Sequence, residues 1–119
     1  MKHIVVCFGD LHCGSTVGLC PPEGVELDDG GLYMPSRGQE WLWDNWEESW
    51  DKIKSVKRKN RDAKLHLVCN GDAVDGDHHR TTQIFSSGEG QHVNCALETL
   101  RVPLALKPDS IHITRGTPA

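Results

Sequence analysis

Apolar positions along the chain separate into three short runs and two stretches of helical period. Ile4 to Phe8 (IVVCF) is a continuous, largely β-branched run. It predicts a strand covered on both faces, placed centrally in its sheet. Leu65 to Cys69 predicts a second strand, and Ser110 to Thr114 (SIHIT) a third that alternates. Between the first two, Leu42, Trp46, Trp50, Ile53 and Val56 recur at steps of three or four, the spacing of one helix face. Ser36 with Gln39 forms a capping-box pattern at its start. Acids fill the early turns and Lys52 to Lys59 the late ones, as the helix dipole favours. Glu89 to Arg101 predicts a second helix with Val93, Ala96, Leu97 and Leu100 on one side, ended or kinked before Pro103. The order is βαβαβ, an α/β class with a mainly parallel sheet and flanking helices.

Residues 13–35 show neither period and are punctuated by Pro21-Pro22 and Gly30-Gly31. They read as a long loop insertion, of the kind that shapes a site when it occurs inside a compact domain. At 119 residues, positions 1–119 make one domain with a modest core. The formal charge of -4 gives no general attraction to phosphate backbones, so nucleic acid is not indicated as a partner. The tryptophan stripe therefore reads as packing surface, and the bases from Lys52 to Arg61 as a solvated helix end. No apolar stretch approaches a membrane span and no leader pattern opens the chain, so a soluble, cytoplasmic protein is expected. The five cysteines include no Cys-x-x-Cys pair and are expected as reduced thiols. Cys13 and Cys20, two thiols without a second pair, make a poor zinc site.

Chemistry concentrates where strands end. The first strand runs into Gly9-Asp10-Leu11-His12, the second into Asn70-Gly71-Asp72-Ala73-Val74-Asp75 and then His78-His79, and the third into Arg115-Gly116-Thr117-Pro118. In a parallel sheet these loops open on a common edge. Asp10 and His12 are two apart, so extended backbone would point both to one side. Carboxylate with imidazole suits Mn, Fe or Zn, and a carboxylate can bridge two ions. Such ions, about 3.5 to 4 Å apart, activate water for in-line attack on phosphorus. Asp72 is the natural bridge. A dinucleotide site is disfavoured, because Gly9 to Gly14 lacks the Gly-x-Gly-x-x-Gly spacing and places an acid where pyrophosphate would lie. His3, His66, His92 and His112 lie on strand or helix patterns and read as structural.

Asp10-x-His12 after the first strand with Gly71-Asp72-x-x-Asp75 after the second resembles the calcineurin-like metallophosphoesterase superfamily, and NGDAVDGDHH is similar to its phage-encoded members. The resemblance implies hydrolysis of phosphate mono- or diesters by a metal-bound hydroxide at a dinuclear site of Mn, Fe, Zn or Ni. It implies Asp10 and His12 as ligands of one metal and Asp72 as the bridge. Thr117 stands where the family carries the Asn that binds the second metal. Asn70 and Asp75 are expected to orient ligands, and His78 and His79 to contact phosphate or supply a proton.

The departures are as informative. Thr117-Pro118 replaces the family's Asn-His, and Ala119 closes the sequence before any Gly-His-x-His. The resemblance therefore spans the N-terminal half of the family's αββα sandwich. Two carboxylates and one imidazole leave an ion short of protein ligands, so weak metal affinity is expected. A single sheet leaves a face wanting cover, which implies either a missing C-terminal half or a homo-oligomer. The alternative reading is a non-catalytic α/β module of the same descent that binds metal or a partner.

Overall fold

The computed structural model describes residues 1–73, 84–85 and 89–114. It contains strands β1 (His3–Phe8), β2 (Val25–Glu26) and β3 (Leu32–Tyr33), helix α1 (Arg37–Lys59), strand β4 (Lys64–Cys69), helix α2 (Glu89–Leu104) and strand β5 (Ser110–Ile113). β1, β4 and β5 form a three-stranded parallel sheet in that spatial order, the mixed α/β class expected. Two expectations about β1 are corrected. The central strand is β4, and β1 lies at an edge among the described residues. Nor is β1 covered on both faces, since exposure alternates along it and Val5 is 60% exposed.

The alternation follows from where the helices lie. Ile4, Val6 and Phe8 of β1 pack with Leu65 and Leu67 of β4 against Trp50 and Ile53 of α1 and Val102 of α2. Both helices thus cover one face. The other carries His3, Val5 and Cys7, with His66 and Val68 on β4. The His3 and His66 rings stack there with Nδ1 and Nε2 2.9 Å apart, and His66 Nδ1 lies 2.6 Å from Ser110 Oγ. These histidines tie strands together, the structural role expected.

α1 begins as the sequence predicts. The Ser36 hydroxyl accepts from the Gln39 amide at 3.2 Å, and the Gln39 side-chain oxygen accepts from the Ser36 amide at 3.0 Å. Gln39 is nevertheless buried. Its side-chain nitrogen donates to the carbonyls of Ser15 and Gly18, both at 3.0 Å, and so fastens the helix to the loop after β1.

α2 departs from its predicted face and end. The buried positions are Gln91, His92, Cys95, Ala96, Thr99 and Pro103, whereas Val93 and Leu97 are exposed. Pro103 lies inside the last turn instead of beyond it. Proline has no N–H to donate to the carbonyl four residues back, here that of Thr99. That carbonyl instead accepts the Trp46 indole N–H at 3.1 Å, which joins α2 to α1.

Residues 13–35 hold more structure than a loop. β2 and β3 pair antiparallel, and Cys13, Leu19, Cys20 and Val25 enter a core cluster with Trp43 and Cys95. Tyr33 stacks on Phe85 at 4.3 Å between ring centres. No helix among the described residues is long and apolar enough to cross a membrane.

Candidate metal centre

β1 and β4 run parallel in register from His3 opposite Lys64 to Phe8 opposite Cys69, so both chains leave the sheet at the same edge and height. They continue side by side beyond it. The Asn70 amide donates to Phe8 O at 2.7 Å, Asp10 to Gly71 O at 3.3 Å, His12 to Asp72 O at 2.8 Å and Cys13 to Ala73 O at 3.0 Å. Backbone pairing thus fixes one loop against the other before any side chain takes part.

Asp10, His12 and Asp72 emerge from this paired segment, and one ligand atom from each lies within 4.8 Å of the other two. His12 Nε2 is 3.7 Å from Asp10 Oδ1. The gathering does not come from extended backbone, as the Asp-x-His spacing suggested. Asp10, His12 and Asp72 have φ of 56°, 47° and 53°, the left-handed region. Asp and His tolerate it better than most residues, and such conformations collect at functional sites. Gly71, with φ 84°, makes the turn that presents Asp72.

The neighbouring glycines hold the loop in place. A Cβ on Gly18 would sit 2.2 Å from the His12 carbonyl oxygen and 2.8 Å from that of Leu11. Only hydrogen at that position lets residue 18 cross beneath the His12 backbone, where Leu19 donates to Leu11 O at 3.0 Å. Gly14 packs equally tightly on the buried His92 ring, 2.1 Å from its Nδ1 to an added Cβ.

Two carboxylates and an imidazole are a donor set for a divalent ion, and the spread of their atoms is one that a single ion spans, so these residues fit one metal of the two expected. The Asp10 side chain is 79% exposed and that of His12 36% exposed, so water can complete the coordination. Compared with known proteins, the chain matches no family model, no curated protein and no solved structure. The site therefore stands on its own geometry.

The remaining predicted site residues fall differently. Asn70 is exposed and joins the site through its backbone amide, with its Cβ 3.2 Å from where a Cβ on Gly9 would lie. Asp75, His78, His79 and Thr117 lie outside the described residues. Cys69, at the end of β4, is buried, and burial pushes its thiol up from the usual range against an opposing hydrogen bond from Gly71. Its carbonyl accepts the Thr114 amide at 2.9 Å, so it joins β4 to the end of β5.

Sequence reasoning missed what supports the centre: Gln39, Gly18 and the half-buried Trp46. An open groove of about 630 Å³ is lined by Asp10 and His12, by Leu11 and Leu19 of the loop and by Leu42 and Trp46 of α1. Its size suits a small-molecule site. The one available signal was Gln39, whose capping role already placed it beside the loop.

Proposed function

We propose that the protein is a metal-dependent phosphoesterase, a hydrolase of phosphate mono- or diesters. The observation that carries this reading is the convergence of Asp10, His12 and Asp72 at the carboxyl ends of two adjacent parallel strands, beside a groove able to take a substrate. Divalent ions held there would activate water and neutralise phosphoryl charge. Asp10 and His12 would hold one ion and Asp72 would face a second. Thr117 is proposed as a ligand of that second ion, with Asp75 orienting a ligand and His78 and His79 handling phosphate or the leaving-group proton. The rigid backbone pairing of the two loops supplies positioning, which such chemistry needs more than flexibility. A sheet with both helices of the described residues on one face also suits half of a calcineurin-like sandwich, the family reading that the sequence motifs suggest.

The test is hydrolysis of 4-nitrophenyl phosphate with added manganese by the native chain and by Asp72→Asn. Metal-dependent turnover lost in the variant supports the assignment, and equal turnover in both sinks it. A second reading, a metal- or partner-binding module without catalysis, draws on the exposure of Asp10 and on Thr117-Pro118 in place of Asn-His. Manganese binding without turnover would select it.

A further inference from the structure

The groove beside the candidate metal centre constrains what a ligand there looks like. Its lining includes Asp10 and His12, so a phosphate held by metal there would have its organic part within the groove. Leu42 and Trp46 form the helix wall, and Asn45 and Ser49 continue it without charge. No lysine or arginine lines it among the described residues. Along α1, Asp44, Glu47 and Glu48 neighbour these lining positions in sequence, and its bases are Arg37 at the first position and the lysines and arginine from Lys52 onward, none of which lines the groove. A second anionic group on the ligand would meet no lysine or arginine in this lining and would lie near the acids of α1.

The wall is fixed in advance. The Trp46 ring packs edge-on against Phe8 and Trp50, with centroids 5.6 and 5.4 Å away, and its indole N–H is committed to Thr99 O. Asn45 donates its side-chain amide to Trp41 O at 2.8 Å, and Ser49 its hydroxyl to Asn45 O at 2.8 Å. The surface facing the groove is therefore held in place by these contacts and is mainly apolar. Rigid apolar pockets of this size bind small ligands without ordering cost.

We infer that the groove receives the organic part of a small phosphate monoester, an uncharged and mainly apolar group such as an aryl ring, and selects against polyanions. The inference rests on the metal-site reading above.

Non-hydrolysable phosphonates test it without relying on turnover. Calorimetry first measures manganese binding to the full chain, then the affinity of the manganese-loaded protein for methyl-, phenyl- and 4-carboxyphenylphosphonate. Phenylphosphonate should bind at least about tenfold tighter than methylphosphonate, close to 1.4 kcal/mol. It should also bind more tightly than the carboxylated analogue. Leu42→Ala should shrink the phenyl advantage while manganese affinity stays unchanged. Asn45→Arg, at an exposed helix position, should raise affinity for the carboxylated analogue alone. Equal affinity for methyl- and phenylphosphonate with manganese bound overturns the groove assignment and leaves the metal site standing. Absence of manganese binding overturns the metal reading, and this inference with it.

Discussion

The His12 amide donates to the Asp72 carbonyl at 2.8 Å, so the two residues proposed to flank a metal are joined through their backbones as well as gathered through their side chains. This bond extends the β1–β4 ladder past the last paired residues, Phe8 and Cys69. Strand register is thereby transmitted into the loops. Since a one-residue slip would turn every side chain to the opposite face, the same hydrophobic pattern that sets the sheet also sets which residues meet at its edge.

If these residues bind metal, manganese should stabilise the fold. At about a hundredfold excess over the dissociation constant, a ligand specific for the native state adds roughly 2.7 kcal/mol. A thermal melt with and without manganese should show the increase, and chelator should reverse it. Asp72→Asn should lower manganese affinity by at least about tenfold, the loss expected even for residues that merely support ligands. An unchanged melting shift in the variant would remove Asp72 from the site.

Gly18 makes a sharper structural test. Because an added methyl would meet two backbone carbonyl oxygens rather than a flexible side chain, relief requires the His12 segment to move. Gly18→Ala should cost roughly 2 kcal/mol or more in urea denaturation, the scale of overpacking at a site that cannot yield. Manganese binding should weaken in the same variant. Gly30→Ala is the control for methyl insertion, since no atom lies within 4 Å of its added Cβ, although its φ of 84° carries a cost of its own.

The contrast between Ser36 and Gln39 separates a helix cap from a tertiary tie. Ser36→Ala removes one capping bond and should cost about 1 kcal/mol, leaving metal binding intact. Gln39→Glu keeps the acceptor used by Ser36 and Tyr33 but replaces the amide donor facing the carbonyls of Ser15 and Gly18. A buried carboxylate against two carbonyls should cost about 3 kcal/mol or more. Denaturation curves that rank the two variants in the reverse order would contradict this assignment of roles.

The three strands of the parallel sheet, the first helix and its cap were legible because each depends on local pattern. Parallel pairing followed from strand–helix–strand order, and the convergence of Asp10, His12 and Asp72 followed from parallel pairing. What escaped was set by partners distant in sequence. An unbroken IVVCF run looks alike whether one face is covered or two, and the bare face of β1 is a consequence of both helices lying on the other side. In α2, counting apolar residues selected Val93, Ala96, Leu97 and Leu100, of which Ala96 is buried and Leu100 packs against the core while Val93 and Leu97 are exposed. The buried face instead includes Gln91, His92 and Thr99, polar groups admitted because specific bonds satisfy them, such as Thr99 Oγ1 donating to Cys95 O at 2.8 Å. The core residues of 13–35 follow successive turns, which leave no period to read.

The buried thiols give a prediction about alkaline pH. Cys13, Cys20 and Cys95 share one core cluster, with the Cys13 thiol donating to Thr99 Oγ1 at 3.5 Å and Cys95 to Leu19 O at 3.3 Å. A hydrogen bond with Cys95, reinforced by burial, pushes the Cys13 thiol far above its ordinary value of 9.0. Cys95 is pushed up to about 12, its bond to Cys13 acting downward but outweighed by Cys20 and burial. Cys20 moves the other way, lowered chiefly by its bond with Cys95. In the unfolded chain all three ionise near the ordinary value. For Cys13 and Cys95 the folded state thus retains protons that the unfolded state loses, so their contribution to stability is complete below about pH 9 and declines as pH rises beyond it. The urea midpoint should fall between about pH 8 and pH 10.5, and less steeply in Cys13→Ala, whose neutral side chain removes the largest of the shifts. In the native protein at about pH 8, Ellman's reagent should modify Cys7 alone, since Cys7 is exposed and the other four thiols are buried. Denaturation should release all five. Rapid native labelling of Cys13 or Cys95, or a urea midpoint indifferent to alkaline pH, would show that this cluster does not hold neutral thiols in the core.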